Sequence, residues 1–586
     1  MHNLLWLSIS LLLAMQAGAQ EAQIWKKYIG GIKDVDIPTL PNYSYAGYRL
    51  GGAALPKVHD LDTFNVVDFG AQPNDKLSDD AAIQRAIDAA ASNRGGLVYF
   101  PPGVFDVLTN PKQTSSITIS SSNIVLHGSG AVAGGTIINM QNHMLLPPGE
   151  NPWDTPVLFE FRGFTGSTVT RLAQTVKRGE KIIKVVDASG FTQKKYLRLK
   201  VDNSLLASKD FLQGQKTRNL WKDINEVGAD LIEYHEIESI DLSNNTIRLK
   251  DPIIDTFKVD YDCKIDAPDL LENCGFERIH LQGNFLDSFV HHKNYIHDYG
   301  WHGVRMTHVA HSWITESRFS NVTLAAKING SYASSILKIL VDGNSGHALT
   351  AIDGGATRIL QGLLWDNTSK GQWHGADISG RACGSVTWRV EAPNSRGVDL
   401  HASYPRTNLV DLYESSGISG QGGNIKNLPH HLPGLTIWNS KRTGGQQDHI
   451  DLWPVCESTY CGWTLVNPVI VGYHGVGTTF KQSALNYEES NGRKVNPTSL
   501  YEAQNELRLE NREWIDEALL RWDLLKDSWY GEPTNLKVVS ASKSYVEISW
   551  SDNSAFEDAF EVLISEKETN RTVIQVVTEK YHITKD

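Results

Sequence analysis

Five short segments recur along the middle of the chain: Val304-Arg305-Met306-Thr307-His308, Ala326-Lys327-Ile328-Asn329-Gly330, Thr350-Ala351-Ile352-Asp353-Gly354, Ala376-Asp377-Ile378-Ser379-Gly380 and Val398-Asp399-Leu400-His401-Ala402. Their starts are 22, 24, 26 and 22 residues apart. A period near two dozen residues marks a solenoid, in which each turn buries its apolar side only by stacking on its neighbours. Alternation along each segment sends Met306, Ile328, Ile352, Ile378 and Leu400 to one side and their flanking residues to the other. The expected class is therefore all-β. The 586 residues are 40% hydrophobic and 21% charged, which excludes a largely disordered chain. The formal charge of −12 leaves no basic excess for a nucleic-acid surface. Five cysteines in so long a chain exclude a disulfide-built scaffold.

Upstream, Asn65–Ala71 reads as a short strand. Ile83, Ala86, Ile87 and Ala90 then follow at helical spacing, and Leu97–Phe100 closes on a Pro-Pro-Gly turn. The run NVVDFGAQPNDKLSDDAAIQRAIDAA, residues 65–90, and GGLVYFPPGVFDV, residues 95–107, resemble the N-terminal cap and first coil of the pectate-lyase-like superfamily. Ile117-Thr118-Ile119 and Asn123–Gly128 are similar to its next coil. The resemblance implies a right-handed parallel β-helix of a kind that includes lyases, glycoside hydrolases and phage tail proteins. Fold alone does not choose among them.

Met1–Ala19 has the apolar run and small-x-small ending of a secretory signal peptide, so the protein is expected to be secreted. No later stretch is long and apolar enough to predict a transmembrane segment. Residues 20–530 are expected to form the β-helix, with a small β insertion at about 155–260 and a helical cap over the C-terminal end at about 498–526. Residues 531–586 resemble the first strands of a fibronectin type III domain, with Trp550 as its core tryptophan, and predict a partial β-sandwich. Cys456 with Cys461, and Cys263 with Cys274, flank short loops and are candidate disulfides, leaving Cys383 as a small residue in the repeat. No Cys-x-x-Cys pair or histidine cluster has zinc spacing, which argues against a structural zinc.

The outward positions of the five segments form two columns: Arg305, Lys327, Ala351, Asp377, Asp399, and Thr307, Asn329, Asp353, Ser379, His401. With strands ~4.8 Å apart, these side chains predict an ionic strip long enough for a few sugar units. His302, His347, His374, Arg381, Tyr404 and Arg406 lie at strand ends and are expected to line it. Gly303, Ala325, Gly375 and Gly397 are expected to leave room for an extended ligand. A polar outer face also suits a strip with no chemistry at all.

β-Elimination on a uronic acid needs a cation to neutralise the C6 carboxylate, a base for the C5 proton and an acid for the departing 4-oxygen. Lys327 is the expected base, Arg305 the neutraliser, and His374, His401 and Tyr404 the alternative base and acid. His302, His347, Arg381, Arg406 and Asp399 are expected to bind substrate. Some β-helix lyases place Lys and Arg on adjacent coils beside a calcium ion, and this arrangement resembles theirs; Asn329, Asp353 and Asp377 are the hard oxygen ligands such an ion takes. No organic cofactor is expected. The expectation is a monomeric polysaccharide lyase acting on an anionic polysaccharide, with the sulfated polymer ulvan as the specific guess. The alternatives are a glycoside hydrolase built on Asp353, Asp377 and Asp399, and a glycan-binding adhesin whose tryptophans (Trp301, Trp365, Trp373, Trp438, Trp453) stack on sugars.

Overall fold

A computed structural model describes residues 19–58, 60–417, 422–454, 462–541, 545–554, 560–565, 572–577 and 583–584. The expected signal peptide, apart from Ala19, and the Cys456–Cys461 pair lie outside these residues.

The chain is mostly β and winds as a right-handed parallel β-helix. Two long parallel sheets form its walls. The sheet that matters for the site has seven strands: β1 (Ile117–Ile119), β2 (Phe159–Arg162), β3 (His302–Thr307), β4 (Leu324–Asn329), β5 (Ala348–Asp353), β6 (His374–Ile378) and β7 (Asp399–Leu400). They lie side by side in that order. The register matches the repeat: Arg305 pairs with Lys327, Lys327 with Ala351, Ala351 with Asp377, and Asp377 with Asp399. Met306, Ile328, Ile352, Ile378 and Leu400 are all fully buried, so the interior column is real and each coil's apolar residue is covered by the next.

Helix α1 (Asp80–Ser92) buries Ile83, Ala86, Ile87 and Ala90 against the first coils. The β insertion is a six-stranded antiparallel sheet spanning Thr168–Asp266. Its start is later than expected because Phe159–Arg162 belongs to the coils as β2.

Helices α2 (Leu500–Leu509) and α3 (Glu513–Tyr530) do not close the C-terminal end of the solenoid. They lie along the outer flank of the other wall, with the N-terminal segment. Trp388, Leu409, Trp438, Leu500, Tyr501, Ile515, Trp522 and Trp529 share one buried cluster there, and the Trp529 indole donates to the Ala131 carbonyl at 2.9 Å. The reason lies in the coils: that wall carries Leu337, Leu360, Trp388 and Leu409 outward, an apolar strip that must be covered.

Cys263 and Cys274 are buried free thiols, which overturns their expected disulfide. Cys263 sits where the insertion ends and its thiol faces the Lys264 carbonyl at 3.5 Å, whereas the Cys274 thiol faces the Ser121 carbonyl in the coils at 3.6 Å. Cys383 is a fully buried residue of the repeat. Residues 531–541, 545–554 and 583–584 form one antiparallel sheet, and 560–565 with 572–577 form a hairpin. Among the described residues no helix is long and apolar enough to cross a membrane.

Candidate active site

The outer face of β3 to β7 carries the expected strip. Arg305 is held by Glu160 on β2, Nε to Oε1 at 3.0 Å, so its charge is matched by a buried carboxylate. One strand on, Lys327 Nζ donates to Asp353 Oδ2 at 2.7 Å. Burial opposes the ammonium's charge, but Asp353 and the Tyr299 phenol outweigh it and raise its pKa above the usual lysine range. That pairing favours the charged form of Lys327, which suits a neutralising cation better than the base expected of it. Asp353 moves the opposite way: burial favours its neutral form, and Lys327 overrides that to keep it ionised. Its Oδ1 also accepts from the Gly354 amide at 2.6 Å. A Cβ at Gly380, whose φ is +49°, would come within 1.8 Å of that oxygen, so only glycine fits there.

Further along, Asp377 and Asp399 are register partners with opposite states. Asp399 accepts from His401 Nδ1 at 2.5 Å, from the Gly422 amide at 2.9 Å, and lies 2.7 Å from His374 Nδ1. Burial would protonate it, but the two imidazoles hold its pKa far below the carboxylate range. Asp377 keeps one buried oxygen without a hydrogen-bond partner, and burial, with Asp399 and Asp353 nearby, drives its pKa well up. The surroundings thus pull the two carboxyls apart, Asp377 upward and Asp399 downward. For His401, burial favours the neutral ring, but Asp399, Asp377 and Asp353 raise its pKa to about 9. His374 is kept neutral chiefly by burial, against the pull of Asp399.

Several residues that the spacing did not single out complete the site. The loop before β3 and the turn Ile296–Gly300 bring in His291, His292, Asp298 and Tyr299. Tyr299 is half-buried beside Ala351, and burial together with Asp377 and Asp353 raises its phenol, Lys327 pulling the other way. His291 stacks on Trp373, ring centroids 4.8 Å apart, and its Nε2 is 3.0 Å from His374 Nε2. Asp298 accepts from His292 Nδ1 at 3.0 Å and lies 3.2 Å from His347 Nδ1. The available signal was local: His291, His292, His297 and His302 fall within twelve residues.

Other expected members are placed elsewhere. Arg406 is fully buried, pinned between Glu233 and Asp255 of the insertion, and cannot meet a substrate. Tyr404 is buried and faces Asp223 and Asp230, and Arg381 reaches Asp230 at 3.5 Å from the margin of the strip. His302 is buried but stays at the strip's edge, on the same row as Leu324, Ala348 and His374 and with its ring 5.9 Å from that of Tyr299. His347 is likewise buried, but within the histidine group. Asp399 is fully buried and supports its two histidines rather than a ligand. Gly303, Ala325 and Gly375 do not open a floor: a Cβ at Gly303 would press on Phe319 and one at Gly375 on Tyr413, both interior. Asn329, Asp353 and Asp377 share the strip, but the Lys327 ammonium already occupies Asp353. Among the described residues, the groups with metal-ligand spacing are His291, His347, His374 and His374, Asp399, His401. Of the tryptophans, Trp301, Trp438 and Trp453 are buried, and Trp373 carries His291 on one contact and Arg396 on another, 4.1 Å from its ring centre.

Residues 63–159 match the family model described as Rhamnogalacturonase A/epimerase, pectate lyase-like. Residues 371–518, which include His374, Asp377, Asp399 and His401, match a domain of unknown function, DUF4955. The chain is 40% identical over 77 residues to Alginate lyase 7 of Azotobacter vinelandii, covering 13% of this chain and 9% of that protein. It is 42% identical over 77 residues to Mannuronan C5-epimerase AlgE3 of the same organism, covering 13% and 4%. The chain thus spans less than a tenth of the length of these relatives. Among solved structures, the tailspike protein gp49 from Pseudomonas phage LKA1 is similar at a TM-score of 0.41 and 11% identity, covering 73% of this chain and 79% of that one.

Proposed function

We propose that the protein is a secreted lyase that cleaves a uronic-acid-containing polysaccharide by β-elimination. The observation that carries this reading is a cation held by a half-buried ion pair, Lys327, on one strip with an imidazole oriented by a carboxylate, His401, and a phenol, Tyr299. Lys327 neutralises the C6 carboxylate, which makes the C5 proton removable. His401, oriented through Nδ1 by Asp399, takes that proton at its other ring nitrogen once it is neutral. Tyr299 supplies a proton to the departing 4-oxygen. The shifts agree with one another: as pH rises through about 9 His401 becomes a base, while Tyr299 and Lys327, both shifted upward, keep their protons.

Proton removal at C5 is chemistry that a lyase and a C5-epimerase share, and the names of the two relatives fit that class. The hydrolase alternative is weaker, because Asp399 is enclosed by two imidazoles and an amide and Asp353 is paired to Lys327. In this reading the C-terminal strands are an attached fibronectin-like module, and the N-terminal segment is removed on export. Calcium, if used, would draw on Asn329 and Asp377 beside the Lys327–Asp353 pair.

The test is a panel of uronate polymers, with ulvan and alginate first, assayed in parallel for ultraviolet absorbance, reducing ends and C5 deuterium uptake. A lyase gives absorbance from 4,5-unsaturated ends. Deuterium uptake alone makes the protein an epimerase, and reducing ends without absorbance would overturn the proposal in favour of hydrolysis.

A further inference from the structure

We infer that His291, His347 and His374 form a binding site for one divalent transition-metal ion, zinc by ligand chemistry, at the edge of the ionic strip. The three residues come from three separate places: a loop, the approach to β5 and the start of β6. They nevertheless bring one ligand nitrogen each within 4.8 Å of the others, and His291 Nε2 and His374 Nε2 are 3.0 Å apart. Nitrogens bound to one tetrahedral zinc lie about 3.3 Å apart at metal–nitrogen distances near 2.05 Å, so the His291–His374 pair is already within a few tenths of an ångström of that spacing and a side-chain rotation of at most about 1.5 Å brings in His347.

The surrounding shell is what distinguishes this from a chance group of rings. A metal-binding histidine characteristically gives its other ring nitrogen to a carboxylate, which fixes the tautomer and aims the free lone pair at the ion. His374 Nδ1 lies 2.7 Å from Asp399, and His347 Nδ1 lies 3.2 Å from Asp298. Both carboxylates are buried, and Asp298 is itself oriented by His292. The third ring, His291, has no such carboxylate and is held instead by stacking on Trp373. All-imidazole donors favour zinc over calcium, which takes oxygen. Three protein ligands leave a fourth position for water or for a carboxylate oxygen of a bound ligand.

The inference stands apart from the lyase reading, because the ion's binding is measured without substrate. Purified full-length protein, stripped with a chelator and dialysed, is titrated with Zn²⁺ by calorimetry, and with Co²⁺ by visible absorption. The expected result is one tight equivalent per chain and the intense bands of tetrahedral cobalt. His291→Ala, on a loop, should weaken binding by at least about a hundredfold, and Asp298→Asn, behind His347, by about 10–100-fold. His449→Ala, an exposed histidine far along the chain, should leave binding unchanged. Circular dichroism confirms that each variant is folded, and Zn²⁺ should raise the melting temperature of the wild type but not of His291→Ala. No stoichiometric binding, or tight binding that survives His291→Ala, overturns the site. Metal binding with no glycan activity would sink only the lyase reading, and glycan cleavage without metal binding only this one.

Discussion

Two clusters of buried charge stand on opposite margins of the same coils, and they are built to different rules. Where the insertion meets the coils, Glu233, His235, Asp251, Asp255, Arg358 and Arg406 interlock with every formal charge facing an opposite one within 3.1 Å. The Tyr332 hydroxyl and the Ile254 and Asp255 amides take up remaining oxygens. Both clusters keep a buried polar atom without a hydrogen-bond partner, Arg358 Nη1 in the first and an Asp377 oxygen on the strip. What differs is access, since the Lys327, Asp353 and His401 side chains are 15%, 29% and 31% exposed, whereas those of Glu233, His235, Asp251, Arg358 and Arg406 are at most 2% exposed. Ionic density alone does not mark a working site. Accessibility separates the two clusters, because only the strip presents its charged groups where a ligand can meet them.

The largest effect separating the clusters should be on turnover. Lys327→Met is expected to lower kcat/KM on the cleaved polymer by at least about a hundredfold, the scale of losing one preorganised charge-stabilising group. Circular dichroism should stay that of the wild type. A variant that unfolds yet turns over normally when folded would place Lys327 with the structural cluster. Arg406→Met should do the reverse. Removing one member of a buried ion network leaves Glu233 with His235 alone and Asp255 with Arg178 alone, so denaturant titration should show a loss of about 3 kcal/mol. The kcat of the folded fraction should be unchanged.

A smaller but sharper contrast lies in pH. The pKa of His401 is raised on folding from its ordinary value of 6.5 to about 9. Its contribution to stability is therefore full below about pH 6.5 and is lost as pH rises through about 9. Activity should run the other way and climb across that interval, since the neutral ring is the base. Denaturation midpoints and kcat/KM measured from pH 6 to 10 should cross in this manner, and His401→Gln should abolish both trends. The smallest effect is expected at Asp377→Asn: burial raises the pKa of this carboxyl and so favours its neutral form, which an amide resembles, and the rate should change by less than about threefold. A loss comparable with Lys327→Met would show that Asp377 works as an ionised group.

The coils, their register and the outward positions of Arg305, Lys327, Asp377 and Asp399 were legible because period-two alternation and a repeat near two dozen residues are local properties. The partners of those side chains were not. Nothing in the spacing tells that Asp353 would hold Lys327, or that Glu160, 145 residues upstream, would hold Arg305. Arg406 looked like a groove residue because it ends a repeat, but the insertion folds over that edge and encloses it. The histidine group escaped a search for metal spacing since its members, 291, 347 and 374, converge only through winding of the coils. The flanking helices followed the same pattern: their amphipathic sequence was readable, while the apolar wall they cover became visible only once the coils were stacked.

The interior column running from Met306 to Leu400 sets a rule for how such a protein can change. Within each repeated segment chemistry and cohesion are assigned by parity: Ala376 and Ile378 point into the core, and Asp377 between them points toward solvent. Exterior letters can be rewritten one at a time with the spine untouched, but adding a single residue inside a rung would exchange the two faces at once, thrusting Ile378 out and burying a carboxyl in its place. Variation in length is thus channelled into the corners between rungs, where the His291 loop and the insertion both lie.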